Sequence, residues 1–344
     1  MKRRVDEPVR LGVLGCGAIA CWAHLPILRR LRGATLVAAA DPDPGARERA
    51  RPIAPIAMHE DAESLLARDD LDAVVVCAPT PFHAELTVAA CRAGKHVYVE
   101  KPIATTIEDG NRAVVAARRS GVTAVMGFNR RYHAGYRHAR DLLMSERIGT
   151  IRAVQTAFCE PTPIERMPAW KRSRSTGGGV LLDLASHHVD LLRWFLDDEV
   201  ESVRARAVSE RSEQDGAWLA LSMRGGVTAQ GFFSYRAGLA DYLEFIGEHG
   251  TLRVDRHRPG LSLRVPRRFG YGLRTRRWAS RPASLGGLRL SYRRSLAAFV
   301  DLVRGGAERP ASLDDGARAL EAILAAEASV RLGEPVLAAQ TPPG

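Results

Sequence analysis

The sequence predicts an α/β domain on a parallel sheet, followed by an α+β domain on a largely antiparallel, open-faced sheet. Three observations predict it. The first 125 or so residues alternate short β-branched runs with helical patterns, a rhythm that requires right-handed crossovers between parallel strands. After Asn129 strand-like runs follow one another directly, as in antiparallel pairing. The 344 residues are enough for two separate cores. The boundary is expected near residues 125–135, giving domains at 1–128 and 129–344.

Taken in order, residues 9–14 read as a buried strand and 19–32 as a helix; 35–40 form the second strand. Residues 61–68 have helical character, 73–78 a strand, 84–93 a helix, 96–100 a strand, 106–120 a helix and 123–127 a strand. In the second part strands are expected at 151–158, 200–208, 217–223, 227–235 and 243–246. Helices are expected at 136–145, 180–196, 296–304 and 313–332. No internal repeat appears.

The apolar runs are short and interrupted by Gly, Pro and Arg, so no membrane-spanning helix is expected. The start, Met1-Lys2-Arg3-Arg4-Val5-Asp6-Glu7-Pro8, has acids and a proline where a signal core would begin. Cys16, Cys21, Cys77, Cys91 and Cys159 are scattered and mostly among apolar neighbours, which suits reduced structural thiols and a cytoplasmic location. The net charge of +11 is concentrated: residues 253–294 hold thirteen arginines and one acid, so this segment carries +12 and the rest −1. With Phe269, Tyr271 and Trp278 it could face an anionic substrate or an anionic surface; the alternative is a solvated arginine-rich excursion. A nucleic-acid partner is not expected.

Gly15-Cys16-Gly17-Ala18-Ile19-Ala20 sits between the first strand and first helix. Gly15 permits the tight turn, Gly17 lets the backbone approach a pyrophosphate, and the small residue at the third position lets helix and strand pack closely. Asp41 ends the second strand, twenty-four residues after Gly17. A carboxylate there binds both ribose hydroxyls of NAD and repels the phosphate of NADP. Asp43 reinforces that preference, whereas Arg47 and Arg49 soften it. A Rossmann domain binding NAD, rather than NADP, is the expectation.

Lysine is scarce, four against forty-six arginines, so Lys101 within His96-Val97-Tyr98-Val99-Glu100-Lys101-Pro102 calls for its own reason. An ammonium is compact and gives up its proton when desolvated, which a guanidinium does not. That suits a place beside a reacting hydroxyl; pairing with Glu100 at a strand end is the alternative. Farther on, Gly177-Gly178-Gly179 leads into a helix carrying Asp183 and His187. Four residues apart, they share a face, and a carboxylate beside an imidazole suits proton transfer. A pair that only pins the helix is the alternative, and no ligand spacing for a metal is found. Trp170 is a candidate for stacking on a sugar ring, with a core or interface position equally open.

These pieces resemble the Gfo/Idh/MocA family of NAD(P)-dependent oxidoreductases. The resemblance rests on the glycine turn, on Ala78-Pro79-Thr80-Pro81-Phe82-His83-Ala84-Glu85, and on Ala93-Gly94-Lys95 through Glu100-Lys101-Pro102. Gly127-Phe128-Asn129-Arg130-Arg131-Tyr132 and the glycine-Asp183-His187 segment complete it. It implies that Lys101 polarises the reacting oxygen, His187 is the general acid/base, and Asp183 orients substrate and imidazole. Glu100, Ala78, Pro79, Pro81 and His83 would line the nicotinamide side, with Asn129 and Arg130 near substrate or cofactor where the domains meet. Ala78 departs from the threonine often found there. The expected activity is hydride transfer between nicotinamide and a secondary alcohol or ketone of a sugar, cyclitol or sugar derivative, including an anionic or nucleotide-linked one. The competing function is a non-catalytic NAD-binding sensor. A homodimer or homotetramer, built through the open sheet face, is also implied.

Overall fold

The computed structural model describes residues 7–257, 261–266, 273–278 and 285–338. The chain divides into two compact units, Met1–Asn129 with Tyr292–Leu320, and Arg130–Ser291 with Glu321–Gly344.

The first unit holds six parallel strands: β1 (Val9–Leu14), β2 (Ala34–Ala40), β3 (Ala57–His59), β4 (Ala73–Val76), β5 (His96–Val99) and β6 (Ala124–Met126), in the order β3-β2-β1-β4-β5-β6. The order reverses direction between β1 and β4, the position at which such sheets open a ligand crevice at their carboxyl ends. The first helical segment departs from a uniform α-helix. A π-helical turn, Ala20–His24, precedes α1 (Leu25–Leu28). Pro26 has no N–H to donate, so a regular ladder cannot run through this point. The short helix α2 (Pro44–Ala50) and strand β3 went unseen in the sequence. Asp43 caps α2 by accepting the N–H groups of Gly45 and Ala46, a side-chain cap that stands in for the missing amphipathic period. The helices α3 (Ala62–Leu66), α4 (His83–Arg92) and α5 (Ile107–Ser120) lie within a few residues of the expected ranges.

Residues 292–320, beyond the expected boundary at residue 128, group with the first unit. Ser295 and Phe299 show why: Tyr98 packs on the Phe299 ring at 5.9 Å and its hydroxyl lies 3.1 Å from Ser295 Oγ. Leu296, Phe299 and Val300 are buried in one cluster with Leu11, Val13 and Val75. The Met126 N–H donates to the Ala311 carbonyl at 2.8 Å, so the returning chain closes the β6 edge.

The second unit is built on nine strands: β7 (Ile151–Cys159), β8 (Val200–Val208), β9 (Gly216–Met223), β10 (Thr228–Ser234), β11 (Ala240–Gly247), β12 (Gly250–Asp255), β13 (Leu261–Pro266), β14 (Leu273–Trp278) and β15 (Val336–Leu337), ordered β14-β13-β12-β11-β7-β10-β9-β8-β15. All pairs are antiparallel except β7 with β10, which run parallel. Its helices are α6 (Ala134–Met144), the short α7 (Ala169–Arg172) and α8 (Ser186–Leu196), the last entered through a π-helical turn, Leu181–Ala185. Two further helices, α9 (Leu285–Val303) and α10 (Leu313–Leu332), contribute residues to both units.

Strand alternation places Val203, Leu221, Ala229, Phe245 and Leu252 in the core, while Arg204, Arg206, Gln230 and Phe232 are exposed on the other face. Part of the arginine-rich segment is strand: Arg253, Arg264, Arg274, Arg276 and Arg277 lie in β12, β13 and β14, while Arg258, Arg267, Arg268 and Arg281 lie outside the described residues. Phe269 and Tyr271 lie outside the described residues. Among the described residues, no helix is long and apolar enough to cross a membrane, and no cluster of potential ligands could hold a metal ion.

Candidate active site

In the first unit the glycine turn follows β1 directly. Gly15 has φ +97°, and a Cβ there would lie 2.5 Å from the Ala78 nitrogen, so the β1 and β4 loops can meet only at a glycine. Gly17 and Ala18 are exposed and Ile19 half-buried; a Cβ on Gly17 would meet nothing within 4 Å. The backbone of the first turn is therefore accessible to an anion. Asp41 is fixed beside it: Cys16 N–H donates to Oδ2 at 2.7 Å and Asp43 N–H to Oδ1 at 2.9 Å. Each oxygen keeps acceptor capacity for a ribose hydroxyl. Both arginines that could soften this preference lie at the same turn. Arg47 Nη1 donates to the carbonyls of Asp41 and Pro42 and Nη2 pairs with Glu60 at 3.0 Å, while Arg49 lies 3.4 Å from Asp43. These residues fit an adenine dinucleotide. Burial pushes the Cys16 thiol up to about 12, so it is an inert neighbour of the turn.

Ala78 is half-buried and Pro79 and Pro81 are exposed beside the turn. His83, expected among the cofactor contacts, is buried between two backbone carbonyls. Its Nδ1 lies 2.6 Å from the Pro102 carbonyl oxygen and its Nε2 2.7 Å from that of Ala78. Burial pushes this imidazole's pKa down, so the neutral ring donates its one N–H to one carbonyl at a time. Its place is to pin the Ala78 loop to the turn bearing Lys101. The Lys101–Pro102 peptide there is cis. Glu100 is buried: His24 Nε2 meets its Oε1 at 2.8 Å, and its Oε2 accepts the Lys101 N–H at 3.3 Å. The role of His24 was not foreseen, because a lone histidine on an apolar helix gives no distinguishing signal. Asn129, the last residue of the unit's first segment, is buried.

In the second unit, the Arg130 guanidinium is buried, bonded to Asp241 Oδ2 at 2.7 Å and stacked 4.0 Å over the Phe158 ring. These contacts hold it in the unit's interior. Asp241 has no exposed surface and also accepts from Tyr136 Oη at 3.0 Å, Arg256 Nε and His188 Nε2 at 3.1 Å. Burial alone would push this carboxyl up, but Arg130 and Arg256 hold it well below the usual carboxylate range. Burial lowers His188, which stacks on Phe158 and bonds Thr156. Asp190 is likewise committed, accepting from Arg131 Nε at 3.0 Å.

The glycine run has a concrete function in this unit. Gly177 (φ +89°) and Gly179 (φ +86°) take left-handed conformations, and a Cβ on Gly178 would lie 2.4 Å from the Trp170 carbonyl oxygen and 2.6 Å from that of Lys171. The run thus seats α7 against the turn carrying Asp183. Trp170 is 38% exposed on α7, and Lys171 Nζ reaches Asp183 Oδ2 at 3.0 Å and Glu160 Oε2 at 3.1 Å. The Tyr235 hydroxyl donates to the same Asp183 oxygen at 2.9 Å. The scarcity that singled out Lys101 applies equally to Lys171. Tyr235 carried no sequence signal, since its meeting with Asp183 depends on strand order. His187 follows on α8, half-buried, with its ring centroid 6.1 Å from that of Phe158.

Residues 9–128 match the oxidoreductase family with an NAD-binding Rossmann fold, and residues 136–253 match the GFO/IDH/MocA C-terminal domain. Inositol 2-dehydrogenase 3 of Saccharopolyspora erythraea is 34% identical over 318 residues, 90% of this chain and 89% of that protein. A dTDP-3,4-didehydro-2,6-dideoxy-alpha-D-glucose 3-reductase of Actinomadura kijaniata is 34% identical over 73% of this chain and 75% of its own length. The crystal structure of an oxidoreductase domain protein from Kribbella flavida shares the fold, with a TM-score of 0.88 and 23% identity over 97% of this chain and all of that one. Matches to both domain families, together with a relative of this identity aligned along nearly the whole chain, show that the protein belongs to the Gfo/Idh/MocA family of oxidoreductases.

Proposed function

We propose that the protein is an NAD-dependent dehydrogenase or reductase acting on a secondary alcohol or ketone of a sugar, cyclitol or sugar derivative. The observation that carries the reading is Asp183, a buried carboxylate receiving two donors on one oxygen, one helical turn before His187. When bound, the nicotinamide supplies the acceptor for hydride in the oxidative direction. His187 takes the hydroxyl proton, Asp183 orients the hydroxyl and the imidazole, and the Lys101 ammonium stabilises the charge that develops on oxygen. In the reducing direction the same groups act in reverse, with His187 returning the proton. The relatives' substrates, an inositol and a nucleotide-linked sugar, bracket the chemical range.

A screen of free sugars, cyclitols and nucleotide sugars with NAD and NADP, read by nicotinamide fluorescence, tests the proposal. Reduction with NAD and at least one polyol is the expected result; silence across the panel overturns it. Asp41→Ala removes a carboxylate from the ribose site, and hydrogen bonds to charged groups are worth about 1.5–3 kcal/mol. NADH affinity should fall by about 10–100-fold, with less discrimination against NADPH. An unchanged ratio of the two affinities removes Asp41 as the basis of choice.

The exposed sheet face supports a homo-oligomer. Trp218 stands opposite Phe232 in register, and both are exposed with Val208 beside them. Such an apolar patch is best buried against a second copy. Light scattering should give twice or four times the chain mass; the mass of one chain rejects the arrangement.

A further inference from the structure

Strand order brings together four residues that are far apart in the chain. β7 and β10 are parallel, with Cys159 opposite Ser234, so their carboxyl ends lie side by side. The next residues are Glu160 and Tyr235, held at that end by backbone bonds from Glu160 N–H to the Ser234 carbonyl and from Tyr235 N–H to the Asp215 carbonyl. The turn Leu181–Ala185 carries Asp183 to the same end, and α7, seated by Gly178, carries Lys171.

Lys171 is 15% exposed and bridges the two carboxylates. Burial alone would lower its pKa, but Asp183 and Glu160 outweigh burial and raise it. Its ammonium therefore stays charged and cannot act as a proton acceptor in the working range. Tyr235 is buried; burial and the Asp183 charge push its phenol well up, so it remains a donor. Both donors meet one carboxylate oxygen. The ammonium supplies charge, and the rigid phenol supplies direction. Burying a lysine ammonium and a tyrosine hydroxyl is costly without partners, and here Asp183 and Glu160 supply them.

We propose that Lys171 and Tyr235 are positioning residues of the reaction, clamping the Asp183 carboxylate so that it stays ionised and aimed while His187 exchanges a proton with the substrate. This rests on the reading of Asp183 and His187 given above. Lys171 from α7 and Tyr235 from the end of β10 meet Asp183 directly, Glu160 from the end of β7 shares the Lys171 ammonium, and His187 follows one turn later on its own helix. Without Lys171, the Asp183 and Glu160 carboxylates lose the cation that lies between them, a change that favours protonation.

The test is the pH profile of kcat/KM for NAD-linked oxidation of myo-inositol. Lys171→Met should move the acid limb up by about 1–3 pH units, as expected when a close opposite charge is lost. Tyr235→Phe should move it the same way by less, and Lys171→Arg should return it towards wild type. Melting temperature and NADH fluorescence check that each variant is folded; if Lys171→Met does not fold, Tyr235→Phe and Lys171→Arg carry the comparison. An impaired Asp183→Asn variant, with the acid limb unmoved in both Lys171→Met and Tyr235→Phe, overturns this inference alone. Wild-type turnover in Asp183→Asn overturns the reading beneath it as well.

Discussion

Exchanging Lys101 for alanine should lower kcat by about 10²–10⁴-fold and leave NADH binding near wild type, on the scale expected for charge stabilisation at a reacting oxygen. Lys101 follows β5 at the carboxyl end of the parallel sheet, where its backbone is anchored to Glu100, and Glu100 in turn to His24. The turn is therefore held by buried partners independently of the lysine side chain, so the loss falls on turnover rather than on folding. Lys101→Arg should not restore the rate, because a planar guanidinium cannot occupy the position of a compact ammonium. His187→Asn, which removes the proton acceptor, should produce a loss of similar size. Stopped-flow and steady-state rates with an accepted polyol decide the matter; wild-type kcat in Lys101→Ala would falsify the assignment.

The second large effect is on stability. Asp241→Asn leaves the buried Arg130 and the half-buried Arg256 opposite a neutral amide, and removing one partner of a buried ion pair costs about 3–5 kcal/mol. For a unit of this size the melting temperature should fall by about 6–20 °C at neutral pH. The pH dependence has a definite sign. Asp241 is held below its unfolded value, so its contribution is complete above about pH 4 and is lost as pH falls through the folded pKa. The gap between wild type and variant should therefore narrow in acid. His188 acts in a different window: burial lowers it, the unfolded chain binds the extra proton, and stability declines as pH drops below about 6.5. Calorimetry across pH 3–8 separates the two. A constant gap from neutral to acid pH excludes Asp241 as the group responsible.

The parallel sheet, the change to consecutive strands after Asn129 and the glycine turn with Asp41 were legible in the sequence, because each depends on contacts within a few residues or on a strict period. The arginine-rich segment was not. Its charges obscured an alternation in which Leu261 and Leu263 are buried while Arg264 is exposed, so it was not recognised as strands β12 to β14. Arg130 illustrates the converse. A polar residue in a motif near the expected boundary reads as a ligand, but only the fold revealed Asp241, 111 residues away, as its partner.

Lysine scarcity and the four-residue spacing of Asp183 and His187 were sufficient to nominate the chemistry at Lys101 and at the helix, since composition and helical period are properties of the chain itself. Whether a nominated side chain is available or already committed is a property of strand order. The parallel pairing of β7 with β10 joined Glu160 and Tyr235 to Asp183 and Lys171, and the pairing of β7 with β11 placed Asp241 beside Phe158. Those pairings follow from which arrangement buries the most apolar surface while satisfying every buried charge, a condition on the whole unit that no local stretch encodes.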